Sequence, residues 1–192
     1  MKYFRCYYWD WEKFPDFTRI TKKKIDEDKI WFLWNKLREW IFIENWDINK
    51  NKLYFKKEWT NEDYLSNSIE DPTISEKLKN TLINKWLIKE NKDVQFLPIP
   101  IEQEWNPDNK IEWYYLCNIL NIVEWMINEE KSTPDLWSYR KVVLKKEINN
   151  LNLHIFRLKE HQVAFYISEK IKEVFDSPEF NIDLEYIEIE VG

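Results

Sequence analysis

The sequence predicts an α+β fold: antiparallel strands with two related Ser-capped helix-plus-strand units and an additional N-terminal helix. Three observations carry that expectation. Ile74-Ser75-Glu76-Lys77-Leu78-Lys79 returns as Ile167-Ser168-Glu169-Lys170-Ile171-Lys172, and each copy leads through a helical stretch into an apolar strand. The strands, residues 94–101 and 184–191, both alternate apolar and polar positions, double the apolar residue at Phe96-Leu97 or Tyr186-Ile187, then alternate in the opposite phase. The remaining apolar runs are short and read as hairpins, with segregated helices and no βαβ periodicity.

Residues 2–9 form an aromatic-rich run that predicts a strand, and Pro15 interrupts the aromatic and acidic stretch after it. Ile30, Leu33, Trp34, Leu37, Trp40 and Ile41 fall on one helical face, which predicts a helix over 28–40 with Asp28 as its cap. Ile41-Phe42-Ile43 and Leu53-Tyr54-Phe55 read as two strands joined by an Asn/Asp-rich turn, and residues 61–72 as a polar loop. Ser75 can accept a hydrogen bond from a free N–H of the first helical turn, and Glu76 complements the dipole. Leu78, Leu82 and Trp86, spaced by four, predict the buried stripe of that helix. Pro98 and Pro100 cannot donate to a ladder, so the next strand belongs at an edge or at irregular pairing. Its doubled apolar pair implies a bulge or burial on both faces. Residues 111–126 read as a strand running into a helical turn. Residues 141–145, 153–158 and 162–167 read as short antiparallel strands, the last two joined by a tight turn at 159–161. The second capped helix spans 168–175 and stops before Pro178.

Composition narrows the function. The 192 residues are enough for one full core, and 44% hydrophobic with 33% charged content is that of a soluble globular protein. The longest uncharged run, 113–123, falls short of the roughly 20 residues a membrane helix needs. No signal peptide is visible at the start, so the cytoplasm is the expected location. The one glycine is Gly192, where average usage would give about thirteen. Phosphate-cradling loops, dinucleotide fingerprints and nucleophile elbows all need glycine, and are excluded. Turns and helix ends must use Asn, Asp, Pro or Lys instead. Cys6 and Cys117 lie in apolar surroundings and read as buried thiols, and no paired Cys/His spacing suggests a metal. No cofactor is implied.

Charge is uneven. Residues 1–60 carry 14 basic against 10 acidic side chains, residues 61–132 carry 7 against 14, and residues 133–192 carry 8 against 11. The acidic middle disfavours nucleic acid and suits a basic protein partner. His154 and His161 are the only histidines. His154 reads as half-buried and His161 as a solvated turn residue, and no serine or cysteine nucleophile neighbours either in the sequence.

Within residues 63–191 the blocks SEKLKNTL, VQFLPIPI, WYYLCNILNIVEWM with EEKS, HIFRL and VAFYISEKIKEVF occur in that order, with Asp63-Tyr64-Leu65 ahead of them. This arrangement resembles bacterial polymorphic-toxin immunity proteins, immunity family eleven. The resemblance implies a single immunity domain over 1–192, with 1–60 a variable N-terminal subdomain and 61–192 the family-like core. It also implies a non-enzymatic protein that neutralises a cognate toxin by direct, stoichiometric binding. The family pattern supplies no catalytic residue. Partner contacts are therefore expected in the acidic, tryptophan-bearing segment between the two Ser-Glu copies, at Glu102, Glu104, Trp105, Asp108, Glu112, Glu129 and Glu130. Trp113 and Trp125 are balanced between core and surface. The rival expectations are a general adaptor and, behind it, a hydrolase using His154 or His161.

Overall fold

The computed structural model describes residues 1–6, 37, 41–48, 53–55, 62–65, 71–103, 106–111, 113–135 and 138–192. The fold is broadly α+β and mostly strand. A four-stranded antiparallel sheet has the order β3 (Tyr64–Leu65), β4 (Thr73–Ser75), β8 (Tyr114–Ile119), β5 (Val94–Pro98). A six-stranded sheet has the order β12 (Val143–Leu144), β15 (Tyr186–Val191), β1 (Tyr3–Cys6), β14 (His161–Ser168), β13 (Ile155–Leu158), β9 (Ile122–Val123). Its two outermost pairings are parallel and the inner ones antiparallel. A three-stranded sheet joins β2 (Leu53–Phe55), β6 (Ile101–Gln103) and β7 (Asn106–Ile111), and β10 (Thr133–Asp135) pairs with β11 (Ser138–Lys141). Helices α1 (Glu76–Asn84) and α2 (Glu169–Phe175) follow β4 and β14 directly, and a 3-10 helix spans Lys146–Leu151.

Both large sheets and both helices bury one apolar layer. Phe4, Cys6, Phe165 and Ile167 enter it from one sheet, Tyr64, Ile74, Phe96 and Cys117 from the other, and Leu78, Leu82, Ile171 and Val174 from the helices. Each sheet carries a second cluster on its outer face. Tyr3, Phe156, Tyr166 and Ile189 belong to one, Leu65, Leu97, Tyr114 and Leu116 to the other. Phe96 and Leu97 therefore point into different clusters, and β5 pairs with β8 without a register shift. At Phe96-Leu97 the doubled apolar pair marks burial on both faces, not a bulge; at Tyr186-Ile187 it marks neither, because β15 pairs with β1 without a register shift and Ile187 is 48% exposed. Buried Arg157 of β13 reaches buried Asp71, just ahead of β4, at 2.5 Å and ties the two sheets by an ion pair.

The two four-strand sets β3-β4-β8-β5 and β13-β14-β1-β15 have matching registers. Ser75 faces Tyr114 where Ser168 faces Tyr3, and Phe96 faces Cys117 where Tyr186 faces Cys6. Glu76 N donates to Trp113 O at 2.8 Å, and Glu169 N to Lys2 O at 3.1 Å. Lys79 Nζ lies over the Tyr115 and Phe96 rings, and Lys172 Nζ over the Phe4 and Tyr186 rings.

Several elements differ from what the sequence predicts. Residues 113–126 contain no helical turn: β8 is buried on both faces, so its continuous apolar run mimics a helical face. Val143–Leu144 pairs in parallel with β15 instead of in a hairpin. Ile41-Phe42-Ile43 is not a strand, and Leu53–Phe55 pairs in parallel with β6. Residues 61–72 include the buried pair Tyr64–Leu65. Leu37 is helical and buried, whereas the rest of the predicted helix over 28–40 lies outside the described residues, as do residues 7–9.

Trp86 is the clearest departure. Leu78 and Leu82 are buried as expected, but Trp86 is 83% exposed. The helix ends at Asn84, and Trp86 takes left-handed backbone at φ 59°. Trp86 N donates to Ile83 O at 2.9 Å and Leu87 N to Leu82 O at 3.0 Å. Such a pair of bonds closes helices whose next residue is usually glycine. Among the described residues the positive-φ positions are Trp86, Asn91, Trp125 and Asn152, so tryptophan shares with asparagine the role glycine lacks the numbers to fill. A left-handed L-residue is strained by roughly 1–2 kcal/mol, and glycine returns part of that as chain entropy. Trp86→Gly is expected to raise stability by roughly 0.5–1 kcal/mol, read from the urea midpoint. A lower midpoint would mean that indole contacts outweigh the strain.

Candidate functional site

The predicted partner-binding residues are divided among separate elements. Glu102 lies in β6, the middle strand of its sheet, between Tyr54 and Lys110, and is 5% exposed. A carboxylate expected on a solvated rim is thus enclosed on both sides. Asp108 lies on the edge strand β7. Glu129 and Glu130 are exposed in the turn before β10. That turn abuts the chain's end, where Asn128 Nδ2 donates to Gly192 O at 2.8 Å. Glu104, Trp105 and Glu112 lie outside the described residues.

The tryptophans are more informative. Trp113 is 63% exposed and Trp125 73% exposed, which resolves both toward the surface, and Trp86 joins them. Each is fixed through its backbone. Trp113 O accepts from the first residue of α1. Trp125, at φ 62°, donates its N–H to the Glu160 carboxylate in the β13–β14 turn, where Lys159 and Glu124 pair at 2.7 Å. Glu124 and Met126, the sequence neighbours of Trp125, line an open cleft of about 400 Å³ together with Asn121, Ile122, Leu151 and Leu153. An indole held in water by a rigid backbone offers large apolar area with little entropy left to lose on contact.

The histidines sit in unlike environments. His154 is half-buried, and its Nδ1 lies 2.9 Å from Ser168 Oγ. Burial, then Lys170, lowers its pKa, with Asp93 opposing. The structure thus forms a Ser–His pair that the sequence conceals, because its members are 14 residues apart, one just ahead of β13 and the other at the end of β14. The pair is placed to hold a helix start. Ser168 is wholly buried, and at the matching position in the other sheet Asp63 Oδ1 accepts from Ser75 Oγ at 2.5 Å. Ser75 Oγ also accepts from Leu78 N, whereas Ser168 makes no such side-chain cap.

His161 is a correction. Expected as a solvated turn residue, it opens β14 at 2% exposure, with Nδ1 2.5 Å from the Tyr166 hydroxyl and its ring edge-on to Tyr139. Arg5 hydrogen-bonds Tyr166 and donates through Nη1 to Tyr139 O at 3.0 Å. Burial, then Arg5, pushes the His161 pKa down to about 4. The neutral imidazole shares a hydrogen bond with the Tyr166 hydroxyl through Nδ1 and acts as part of the core. Among the described residues no group of three or more His, Cys, Asp or Glu is arranged to hold a metal ion, and no helix is long and apolar enough to cross a membrane.

No protein-family model matches the chain, and no curated protein shows significant similarity to it.

His161 makes stability depend on pH. Its folded pKa lies below the unfolded value of about 6.5, so the unfolded chain binds more protons between about pH 6.5 and 4. The stabilisation is complete above about pH 6.5 and is lost as pH falls toward 4, by roughly 3 kcal/mol in all. Urea titrations across that window should show His161→Gln with a shallower loss than the parent. Identical slopes would mean that His161 does not titrate in this way.

Proposed function

We propose that this chain is a cytoplasmic protein-binding module that neutralises a cognate bacterial toxin by stoichiometric occlusion. The observation that carries the reading is the set of solvent-facing tryptophans on fixed backbones, Trp86, Trp113 and Trp125. Buried aromatic anchors dominate the binding energy of protein interfaces, and here three tryptophans stand exposed while Tyr3, Phe165 and Tyr166 are buried. Exposed Glu129 and Glu130, with the acidic side chains of Asp108, Glu104 and Glu112 from the same acidic stretch of sequence, would speed encounter with a basic toxin domain by long-range attraction, and Trp105 would add apolar contact. An adaptor with an unrelated partner would use the same surface, and the product of the neighbouring gene separates the two readings. A hydrolase would have to use the Ser168–His154 pair. The complete burial of Ser168 and the carboxylate in the matching place favour binding instead.

The test uses a toxin domain encoded beside this chain. Trp113→Ala and Trp125→Ala are expected to speed dissociation, by about 30-fold for an anchor worth roughly 2 kcal/mol. The double change Glu129→Lys, Glu130→Lys is expected to slow association and flatten its salt dependence. Unchanged kinetics in both sets would remove the assignment, and protection retained in His154→Ala would dispose of the hydrolase.

We infer further that the two helix-plus-strand units are copies of one ancestral unit. The support is the shared strand order, the matching registers, and the paired Lys79 and Lys172 aromatic contacts. In chain order each half begins with a Tyr-x-x-Cys strand, Tyr3–Cys6 or residues 114–117. Each half then donates that strand to the middle of the other half's sheet. Neither sheet closes without the other half, so the halves should unfold together. Native-state thiol labelling of single-cysteine variants reads this directly. Phe156→Leu, made in one sheet, should lower the protection of Cys6 and of Cys117 in the other sheet equally, by about 1 kcal/mol. Protection of Cys117 that does not move would separate the halves.

A further inference from the structure

We propose that the outer face of the four-stranded sheet is a binding groove for an extended peptide, occupied in cis by residues 41–46. This segment has no regular structure, yet its main chain is read by two buried amides. Ile43 N donates to Gln95 Oε1 at 2.9 Å, and Gln95 Nε2 donates to Ile43 O at 2.7 Å. Asn118, opposite Gln95 in the sheet, donates through Nδ2 to Ile41 O at 2.8 Å and to Gln95 Oε1 at 3.1 Å. Gln95 is 6% exposed and Asn118 1%. One glutamine thus supplies both the donor and the acceptor that a neighbouring strand would supply, a contact that recognises backbone regardless of sequence.

Selectivity comes from two further points. Ile43 enters an apolar pocket with Leu65, Leu97 and Leu116, and Trp46 Nε1 donates to Pro98 O at 2.7 Å. The ligand class follows: an extended segment with an aliphatic residue and, three positions later, a tryptophan or similar donor. The resident segment meets those requirements imperfectly. Ile41 and Phe42 stay about half exposed, and Asn118 Oδ1 is buried without accepting a hydrogen bond. A buried acceptor left unmet is costly, so an incoming segment that supplies one more N–H gains over the resident one. The occupant is an extended segment of a protein partner, which must outcompete a tethered rival of millimolar effective concentration. This inference stands apart from the toxin reading, since the groove is tested with a peptide alone.

The probe is a fluorescein-labelled peptide of residues 41–48, added to the full chain and followed by anisotropy. Ile43→Asp, which ejects the resident segment, is expected to bind the peptide roughly tenfold or more tighter than the parent. Adding Gln95→Met, of similar volume but without the amide, should abolish that gain. A peptide carrying Asp at the Ile43 position should not bind. Ile43→Ala gives a milder release and decides the matter if Ile43→Asp does not fold. Folded Ile43→Ala binding no better than the parent, or binding that survives Gln95→Met, overturns the proposal.

Discussion

One apolar layer is shared by both large sheets and both helices, and the rest of the structure depends on that sharing. Phe4 and Cys6, from the first residues of the chain, enter it beside Phe165 and Ile167, while Cys117 enters it from between β4 and β5. A strand in the middle of a sheet brings side chains to both faces, so loss of β1 or β8 would open a sheet and its two clusters together. Burial pushes both thiols above their usual pKa, as suits groups that serve as small hydrophobes in this layer. Around the rim, Lys79 and Lys172 lay their ammonium groups on aromatic rings of adjacent strands, closing the layer with charge instead of further apolar surface.

Scarcity of glycine links the backbone to the surface. Where the described residues turn through left-handed conformation the chain uses Asn91 and Asn152, whose short side chains tolerate it, and also Trp86 and Trp125, whose side chains do not relieve the strain. At those two turns the indole is directed away from the core. The composition therefore produces exposed tryptophans as a by-product of turn chemistry, and these supply the apolar area on which a protein-binding reading rests. A glycine-rich chain of the same topology would close α1 without presenting an indole there.

Buried polar groups divide into those that fix the fold and those that hold a segment against it. Arg157 with Asp71, and Arg5 with Tyr166 and His161, join strands that lie far apart in the chain. Gln95 and Asn118 differ, because their partners are main-chain groups of a segment outside any sheet. Side-chain amides matched to backbone are the means by which a surface accepts peptides of varied sequence. The same four-stranded sheet thus carries scaffold on its inner face and a recognition surface on its outer one.

The sequence by itself determined the local features. Helices begin after Ser75 and Ser168, the strands on either side of Lys159 and Glu160 pair as a hairpin, and the doubled Phe96-Leu97 marks a strand with either a bulge or two buried faces, of which the structure shows the second. Each depends on a few adjacent residues: a serine ahead of the helix, whose hydroxyl caps the first turn at Ser75 but not at Ser168; a turn; a break in alternation. The sequence leaves Trp113 and Trp125 balanced between core and surface, and their exposure follows only from how β8 and β9 are anchored. Tertiary structure alone decided that β1 lies between β14 and β15, and that β9 and β12 pair in parallel. It also decided that His161 is enclosed by Tyr139 and Tyr166, and that Gln95 meets Ile43 across 52 positions. Apolar strands of similar length satisfy one another's hydrogen bonds almost equally well. Which ones pair is fixed by the joint burial of both faces, a property of the assembled layers that no short window of residues contains.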